Sequence, residues 1–438
     1  MGKITNDLIK QYQTSLTKHD HNGALRRAVM NNGINNASEE SELKAKLHPT
    51  FSYELKTGKV TAQKKSGRCW LFAALNTLRY EFEQDYHVKD FEFSQNYLSF
   101  WDRVEKANTF LTLMIQTAQV EDGDRRIEML MKAPDEDGGQ WANAVSLIKK
   151  YGLVPKYAMP ETVVSNNTAE FEQVMGTKLR LDAKKLREAV RSCATDEEIQ
   201  NMKQQCMEEV YRMCVYAFGE PVNKFDLEYR DKDDNFHKEY DLTPQEFYQK
   251  YTRQNIEDYV VLANAPDRPY QTYYAMPDED NIVDGAMTVS FLNVDLETFK
   301  KLTLKQLLDG TATWFGCDVL QQMNRKEGLL ASELYDYADL FDIDMNFNKA
   351  DRLKYHEACV SHAMVFTGVN LVDNQPNRWK VENSWGDKIG AQGYFVMDDE
   401  WFDEYVYESV IHKKYLSQDL LNILETEPVH LDLWDPMA

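Results

Sequence analysis

A cysteine, a histidine and an asparagine that lie far apart in the chain each stand in a setting suited to nucleophilic catalysis. Cys69 follows a polar loop and begins a stretch that is apolar on nearly every side through Leu78, which predicts a buried helix. At the first turn of a helix, the unpaired amides and the positive end of the dipole favour an anion, so we expect a lowered thiol pKa and an activated nucleophile. Gln63, on the preceding loop, can aim its side-chain amide at the same point as the Cys69 N–H, and two such donors make an oxyanion hole.

His362 and Asn383 fall on two predicted strands joined by a turn within residues 373–377. A turn centred near its first residue places the two side chains side by side, whereas a turn centred on its middle residue offsets them by about four positions. The pairing therefore requires an asymmetric connection. Once paired, the Asn383 amide holds one ring nitrogen of His362 and leaves the other facing a thiol, as a general base needs. Trp385, on the same face as Asn383, is expected to shield that hydrogen bond from water.

Each of these residues also has a plainer interpretation, because buried cysteines and hydrogen-bonded histidines are common in protein cores. Cys206 and Cys214 fall on the apolar side of a predicted helix that ends at Gly219, which favours packing thiols. The six cysteines form no CxxC pair and no export signal is recognised, so reduced thiols and a cytoplasmic location are expected. Only the combination of the three settings favours catalysis over core packing.

The overall charge and composition narrow the possible partners. Acidic residues outnumber basic ones by 72 to 50, and the resulting net charge of −22 repels phosphate and anionic lipid. Nucleic acid and membrane surfaces are therefore not expected as partners. The sequence contains no run of about 18 apolar residues, so no membrane-spanning helix is predicted. Neither an EF-hand spacing nor HExxH occurs, so no metal or other cofactor is predicted.

The sequence around these residues resembles that of the papain-type cysteine peptidases. The blocks at Cys69, at His362 and at 383–386 carry the resemblance, and in that family the histidine follows the cysteine by about 130 to 150 residues. Here the interval is 293 residues, so roughly 150 residues are inserted. Longer blocks resemble one branch in particular, the bleomycin hydrolase and bacterial aminopeptidase C group, and they lie at 67–73, 137–141, 314–319, 399–402 and 434–437.

The resemblance implies an α+β fold: a papain-like catalytic unit of two subdomains, a helical half and a β-barrel-like half, with a large helical insertion. It also implies a homohexamer whose sites face an internal channel. The implied domains are an amino-terminal arm that embraces a neighbour (1–55), the helical half with the nucleophile helix (56–165), the helical insertion and oligomerisation layer (166–310), the β half with the histidine and asparagine (311–417), and a carboxyl-terminal arm that reaches the active-site cleft (418–438).

The resemblance also assigns a role to individual positions. The implied catalytic residues are Cys69 as nucleophile, His362 as general base and acid, Asn383 as the group that orients the histidine, and Gln63 as oxyanion donor. Gly138 and Gly139 are expected to form the strip along which an extended substrate backbone lies, since side chains there would obstruct it.

Substrate binding is further expected at Trp385 and at the carboxyl-terminal tail. Aminopeptidases of this group typically continue beyond Asp-Pro-Met with Gly-Ala-Leu-Ala or similar, and their terminal carboxylate fixes the free amine of the substrate. Here Met437 is followed by Ala438 alone. A tail about three residues shorter moves the carboxylate back by up to about 10 Å, so cleavage inside oligopeptides is expected beside removal of terminal residues.

The predicted function is therefore a cytosolic cysteine peptidase that hydrolyses short or unfolded peptides through an acyl-enzyme. Two alternatives stay open. One is a thiol acyltransferase or amidase that uses the same three residues on a different acyl group. The other is a non-catalytic, channel-forming protein that binds strands of nucleic acid or unfolded chain, although the net charge of −22 opposes nucleic acid.

Overall fold

The structure of the chain, a computed structural model, describes residues 2–18, 22–253, 255–277 and 280–437. Its helices are α1 (Asn6–Leu16), α2 (Asn22–Asn32), α3 (Ile34–Ser38), α4 (Ser41–Lys46), α5 (Cys69–Asp85), α6 (Gln95–Gln116), α7 (Arg125–Lys132), α8 (Trp141–Tyr151), α9 (Ala169–Arg191), α10 (Asp196–Phe218), α11 (Pro244–Tyr251), α12 (Leu296–Leu308), α13 (Tyr337–Phe341), α14 (Lys349–Lys354), α15 (Asp399–Tyr405) and α16 (Gln418–Leu424). Its strands are β1 (Tyr53–Glu54), β2 (Phe225–Arg230), β3 (Phe236–Leu242), β4 (Tyr259–Ala263), β5 (Thr272–Ala275), β6 (Ser290–Asn293), β7 (Thr313–Cys317), β8 (Met323–Asn324), β9 (Leu329–Leu330), β10 (His362–Val372), β11 (Gln375–Glu382), β12 (Tyr394–Asp398), β13 (Val406–His412) and β14 (Val429–His430).

One large mixed sheet organises the molecule. Its strands follow the order β14-β5-β6-β4-β13-β7-β10-β11-β12-β9-β8, with β1 paired to β10. The central strands β13, β7, β10 and β11 are antiparallel to their neighbours. Helices pack against this sheet, so the predicted α+β class is confirmed.

Helix α5 joins the helical part of the fold to the sheet. It is apolar on almost every side, and Trp70, Leu71 and Phe72 near its start are all buried. It packs against α6 and α8 on the helical side and against β7 and β10 of the sheet. The indole of Trp314 on β7 donates a hydrogen bond to the Trp70 carbonyl at 3.1 Å. The start of α5 is therefore fixed from both sides.

The hairpin β10–β11 has a tight connection. Val372 pairs with Gln375, and the two residues between them, Asp373 and Asn374, have φ angles of 50° and 64°. Two positive φ angles in a two-residue loop are typical of a type I′ turn. The turn is thus centred near residue 373, the first of the two alternatives, and the expected longer loop is wrong because residues 375–377 already belong to β11.

The segment 166–310 is less helical than predicted. Helices α9 and α10 are present, and α10 ends at Gly219, whose φ of 91° stops the helix. The following residues form the hairpin β2–β3, where Phe225–Arg230 alternates between buried and exposed side chains. Strands β4, β5 and β6 then join the main sheet through pairing of β4 with β13. The insertion is therefore helical over its first part, while strands form much of the remainder.

The two terminal segments differ in how they are held. Helix α1 has no buried residue. Near the other end, β14 pairs with β5, Asp435 forms an ion pair with Arg268 at 3.0 Å, and the ring of Trp434 lies 3.8 Å from the Arg125 guanidinium.

Among the described helices, none is long and apolar enough to cross a membrane.

Candidate active site

Cys69 is the first residue of α5, and the loop before it is tied to the helical half. The N-cap residue, Arg68, is buried and donates hydrogen bonds to Glu161 at 2.9 Å and to the Ser165 carbonyl at 2.6 Å. The Cys69 thiol donates to the carbonyl of Gly67 at 3.8 Å. The loop that precedes the sulfur is therefore anchored by hydrogen bonds to the helical half.

Asp137 connects this loop to the predicted substrate strip. Its carboxylate accepts hydrogen bonds from the Gly67 N–H at 2.7 Å and from the Thr168 hydroxyl at 2.5 Å, and it pairs with Arg103. Its carbonyl accepts the indole N–H of Trp70 at 2.7 Å. Asp137 was assigned no role from the sequence, although it begins one of the blocks that carry the resemblance. Its signal was an acidic residue directly before two glycines.

The expected lowering of the Cys69 pKa is not the net result. Burial is the largest effect and raises the pKa of the thiol, whereas the backbone amides of Ala363, Trp70 and Cys69 itself lower it. The helix start thus acts in the predicted direction, but burial outweighs it. In this enclosed state the thiol carries its proton.

His362 and Asn383 are in direct contact. The ring Nε2 of His362 lies 3.0 Å from Asn383 Oδ1, and the same oxygen accepts the backbone N–H of Ser384 at 2.7 Å. Because that backbone group can only donate, the Asn383 atom is the oxygen, and Nε2 of the histidine is the donor. The other ring nitrogen, Nδ1, is then unprotonated in the neutral ring and can accept a proton. Burial lowers the His362 pKa to about 4, while the Asn383 hydrogen bond raises it.

Trp385 covers this pair. Its ring centroid lies 4.9 Å from that of His362, and the Arg325 guanidinium lies 4.3 Å from the Trp385 ring centroid. His362 is only 6% exposed. The tryptophan therefore occupies the position from which it can exclude water from the histidine–asparagine hydrogen bond.

Cys69 and His362 line one cavity of about 100 Å³. This catalytic cavity is also bounded by Gly138, Gly139 and Glu408. A larger groove of about 500 Å³ shares the two glycines with it and is bounded on another side by Leu433 of the carboxyl-terminal segment. The described residues contain no group of three or more histidine, cysteine or acidic side chains placed to hold a metal ion.

The two glycines of the strip differ in what they permit. A Cβ atom at Gly139 would lie 2.6 Å from the Trp70 ring, so this glycine is required by packing against the nucleophile helix. At Gly138 the nearest atom to such a Cβ is 4.0 Å away, at Glu136. Only Gly138 thus leaves open space in front of the backbone, where the prediction places a substrate.

Gln63 is hydrogen-bonded to Ser384, the residue after Asn383, but does not line the catalytic cavity. Its backbone N–H donates to the Ser384 carbonyl at 2.7 Å, and its Oε1 accepts the Ser384 hydroxyl at 2.5 Å. Its Nε2 donates to the Ser66 carbonyl at 2.6 Å, which leaves one of its two hydrogens for another acceptor. The oxyanion role of Gln63 stays a prediction.

The last predicted binding residue, Ala438, lies outside the described residues. The segment before it reaches the groove, since Leu433 lines it and Met437 is buried. In all, the fold brings Cys69, His362, Gly138 and Gly139 to one cavity, with Asn383 and Trp385 behind the histidine.

Comparison with known proteins agrees with this geometry. The Peptidase C1-like family model matches residues 3–438. Aminopeptidase E of Lactobacillus helveticus is 45% identical over 437 residues, which cover 100% of this chain and 99% of that protein. Aminopeptidase C of Listeria innocua serovar 6a is 43% identical over 438 residues, with 100% and 98% covered. The crystal structure of pepw from Lactobacillus rhamnosis hn001 has a TM-score of 0.98 and 46% identity, with 100% of this chain and 99% of that chain covered. The chain therefore belongs to the Peptidase C1-like family and is a cysteine-type peptidase.

Proposed function

We propose that the protein hydrolyses short or unfolded peptides through a thioester formed at Cys69. The observation that carries this proposal is the shared cavity: the sulfur at the start of α5 and the base His362, oriented by Asn383, line the same enclosed space. A neutral thiol beside a neutral imidazole with a free Nδ1 is competent for this chemistry, because the ring can accept the proton as the sulfur attacks.

The proposed reaction has two halves. In the first, Sγ of Cys69 attacks the scissile carbonyl carbon, His362 Nδ1 takes the thiol proton, and the carbonyl oxygen becomes an anion stabilised by the Cys69 N–H and by Gln63. The C–N bond breaks and His362 gives its proton to the leaving amine. In the second, water attacks the thioester, His362 takes a proton from it, the C–S bond breaks, and the proton returns to the sulfur.

The chain is proposed to act both on terminal residues and within oligopeptides. Removal of terminal residues is supported by relatives that bear the name aminopeptidase. Internal cleavage is supported by the groove of about 500 Å³ beside Gly138 and Gly139, which offers room for substrate residues beyond the catalytic cavity.

Replacement of the nucleophile tests the chemistry. Cys69→Ala should abolish peptide hydrolysis, and wild type quenched in acid during turnover should carry the acyl group on the Cys69 peptide in mass spectrometry. Cys359→Ala is the matched control, because this exposed cysteine lies only three positions from His362. Hydrolysis by Cys69→Ala, or an acyl group on another cysteine, would contradict the assignment. A product other than the free acid would favour an acyltransferase.

Peptide pairs with free and acetylated amino termini test the mode of cleavage. Internal cleavage predicts that acetylated oligopeptides are cut, with fragments that mass spectrometry assigns to internal bonds. If only the free-amine member of each pair is consumed, from its first residue onward, the endopeptidase part of the proposal fails while the cysteine chemistry stands.

Cellular setting and assembly complete the proposal. A reducing, cytoplasmic setting is supported by all six cysteines being free thiols. Self-association, with a hexamer as the proposed state, is supported by α1, whose apolar side chains Ile9, Tyr12 and Leu16 are exposed and contribute nothing to the core.

A further inference from the structure

Glu408 is a buried carboxyl in the wall of the catalytic cavity that the proposed peptide chemistry does not use. It lies on β13 opposite Gly316 of β7 and is 1% exposed. Its Oε2 has no hydrogen-bond partner among the described residues. A buried carboxyl without a partner is costly and uncommon, so its presence in a substrate-facing wall needs a reason.

Gly316 provides the space that this carboxyl occupies. A Cβ atom at this position would lie 2.7 Å from Glu408 Oε2 and 3.0 Å from Val360 Cγ1. The backbone there is ordinary β-strand, so no positive φ demands glycine. The glycine and the glutamate thus form a matched pair that opens a polar recess in an otherwise apolar part of the sheet.

The surroundings of Glu408 argue against a role in the proton transfers. Burial alone raises its pKa to about 8, without a contribution from Cys69 or His362. The carboxyl lines the same cavity as Cys69 and His362, and its Oε2 is hydrogen-bonded to neither of them. A group of this kind is suited to contact a side chain of the substrate rather than the bond that breaks.

We propose that Glu408 selects peptides that carry a lysine or arginine side chain at one of the two positions before the scissile bond, with the cationic head in the recess beside Gly316. This inference rests on the proposed hydrolysis at Cys69 and names its substrate class. The recess offers a carboxylate that no protein donor reaches at Oε2, and a charge-assisted hydrogen bond is the strongest contact such a group can make. The net charge of −22 also attracts cationic peptides. On binding, Glu408 loses its proton to solvent and forms the ion pair.

Peptides that differ only in the charge of one side chain test this proposal. Arginine is compared with citrulline, its neutral analogue of similar shape, and lysine with norleucine, at each of the two positions before the scissile bond. Each peptide is used with a free and with an acetylated amino terminus. For the wild type we expect kcat/KM to favour the cationic member by at least about tenfold at one of the positions.

Glu408→Gln should bring that ratio to about one, because the amide keeps the size of the side chain but cannot pair with a cation. Glu425→Gln, at an exposed glutamate just after α16, is the matched control and should keep the wild-type ratio. A thermal melt of Glu408→Gln that stays within a few degrees of the wild type establishes that the comparison is made on folded protein.

Three results would overturn the inference. The wild type could show no preference for the cationic peptide, or Glu408→Gln could keep it. Alternatively, Glu408→Gln could lose activity on all free-amine peptides whatever their side chain, which would assign the carboxyl to the terminal amine. If the wild type hydrolyses none of the peptides, the proposed function fails instead, so the two failures are distinguishable.

Discussion

Single residues in the catalytic cavity are governed by burial. Cys69, His362 and Glu408 are all enclosed, and in each case burial is the largest influence on the pKa and favours the neutral form. Burial thus favours the neutral form of a thiol, an imidazole and a carboxyl that line one small cavity.

The pH dependence of stability should reveal the buried carboxyl. The Glu408 pKa rises from 4.5 to about 8 on folding, so between these values the unfolded chain releases a proton that the folded protein retains. The free energy of unfolding of the wild type therefore falls as the pH rises from about 4.5 to 8. At neutral pH, the ionisation of Glu408 in the unfolded chain accounts for a loss of up to about 3 kcal/mol. Glu408→Gln removes this loss.

Denaturant unfolding of wild type and Glu408→Gln at several pH values and one protein concentration measures the effect. The free energy of unfolding of the variant should gain on the wild type steadily between pH 5 and pH 8. A difference that does not change with pH would show that Glu408 is ionised or solvated in the folded protein.

The pH dependence of activity should show whether Trp385 shields His362 from solvent. Because the neutral ring of His362 is the proposed base and its pKa is about 4, kcat/KM should stay level down to about pH 5 and then fall. Trp385→Ala admits water to the ring, so burial lowers the pKa less and the fall in activity should move towards pH 6.5. Tyr216→Ala, at an exposed aromatic residue of α10, should leave the profile unchanged. An acid limb that stays near pH 4 in Trp385→Ala would contradict the shielding role.

The candidate site was predictable residue by residue only where a residue type implies chemistry. Cys69, His362 and Asn383 were found because a helix start and two strands gave each a setting. Glu408 was missed, since a glutamate within an apolar strand pattern gives no sign of which cavity it faces. The raised Cys69 pKa was missed as well, because the loss of solvent depends on distant segments that close over the helix start.

At the level of elements, an ion pair joins the nucleophile helix to the strand that leads to the asparagine. Arg79 of α5 contacts Glu382 at the end of β11 at 2.5 Å, and both are buried. Arg79 also donates to the Lys59 carbonyl at 2.6 Å. Because Asn383 follows Glu382 directly, this pair links α5 to the end of the strand that precedes the asparagine.

Removing one partner of this ion pair should destabilise the folded protein more than removing both partners. Arg79→Met leaves a buried carboxylate alone and should lower the free energy of unfolding by about 3 to 5 kcal/mol. The double variant Arg79→Met, Glu382→Met should recover most of that loss. Denaturant unfolding of both variants beside the wild type measures the difference, and equal losses in the single and double variants would contradict the argument.

Element prediction succeeded where a pattern was local and failed where pairing was distant. Thr243, with Glu246 three residues on, forms a capping box that can be recognised in the local sequence and that begins α11. Strands β4 and β5 were missed because their short apolar runs follow long helices, and β4 gains its identity from pairing with β13, about 150 residues later in the chain. The predicted α+β class was nevertheless correct, since the β half was recognised from β10 and β11.

For the whole molecule, α1 provides a test of assembly. Removal of residues 2–18 takes away a helix that has no buried side chain, so the subunit should keep its melting temperature. If α1 contributes to subunit contacts, light scattering should show a smaller mass for the shortened chain than for the full chain at equal concentration. An unchanged mass would remove α1 from the proposed interface.

The order of the catalytic groups along the chain has a consequence for synthesis. Cys69 leaves the ribosome early, whereas β10 and β11, which carry the proposed base and precede its asparagine, begin 293 residues later. Until then the thiol lacks the group proposed to take its proton. A chain that has grown only past α5 is therefore expected to be inert towards neighbouring nascent polypeptides, and proteolytic competence requires the synthesis of β10 and β11.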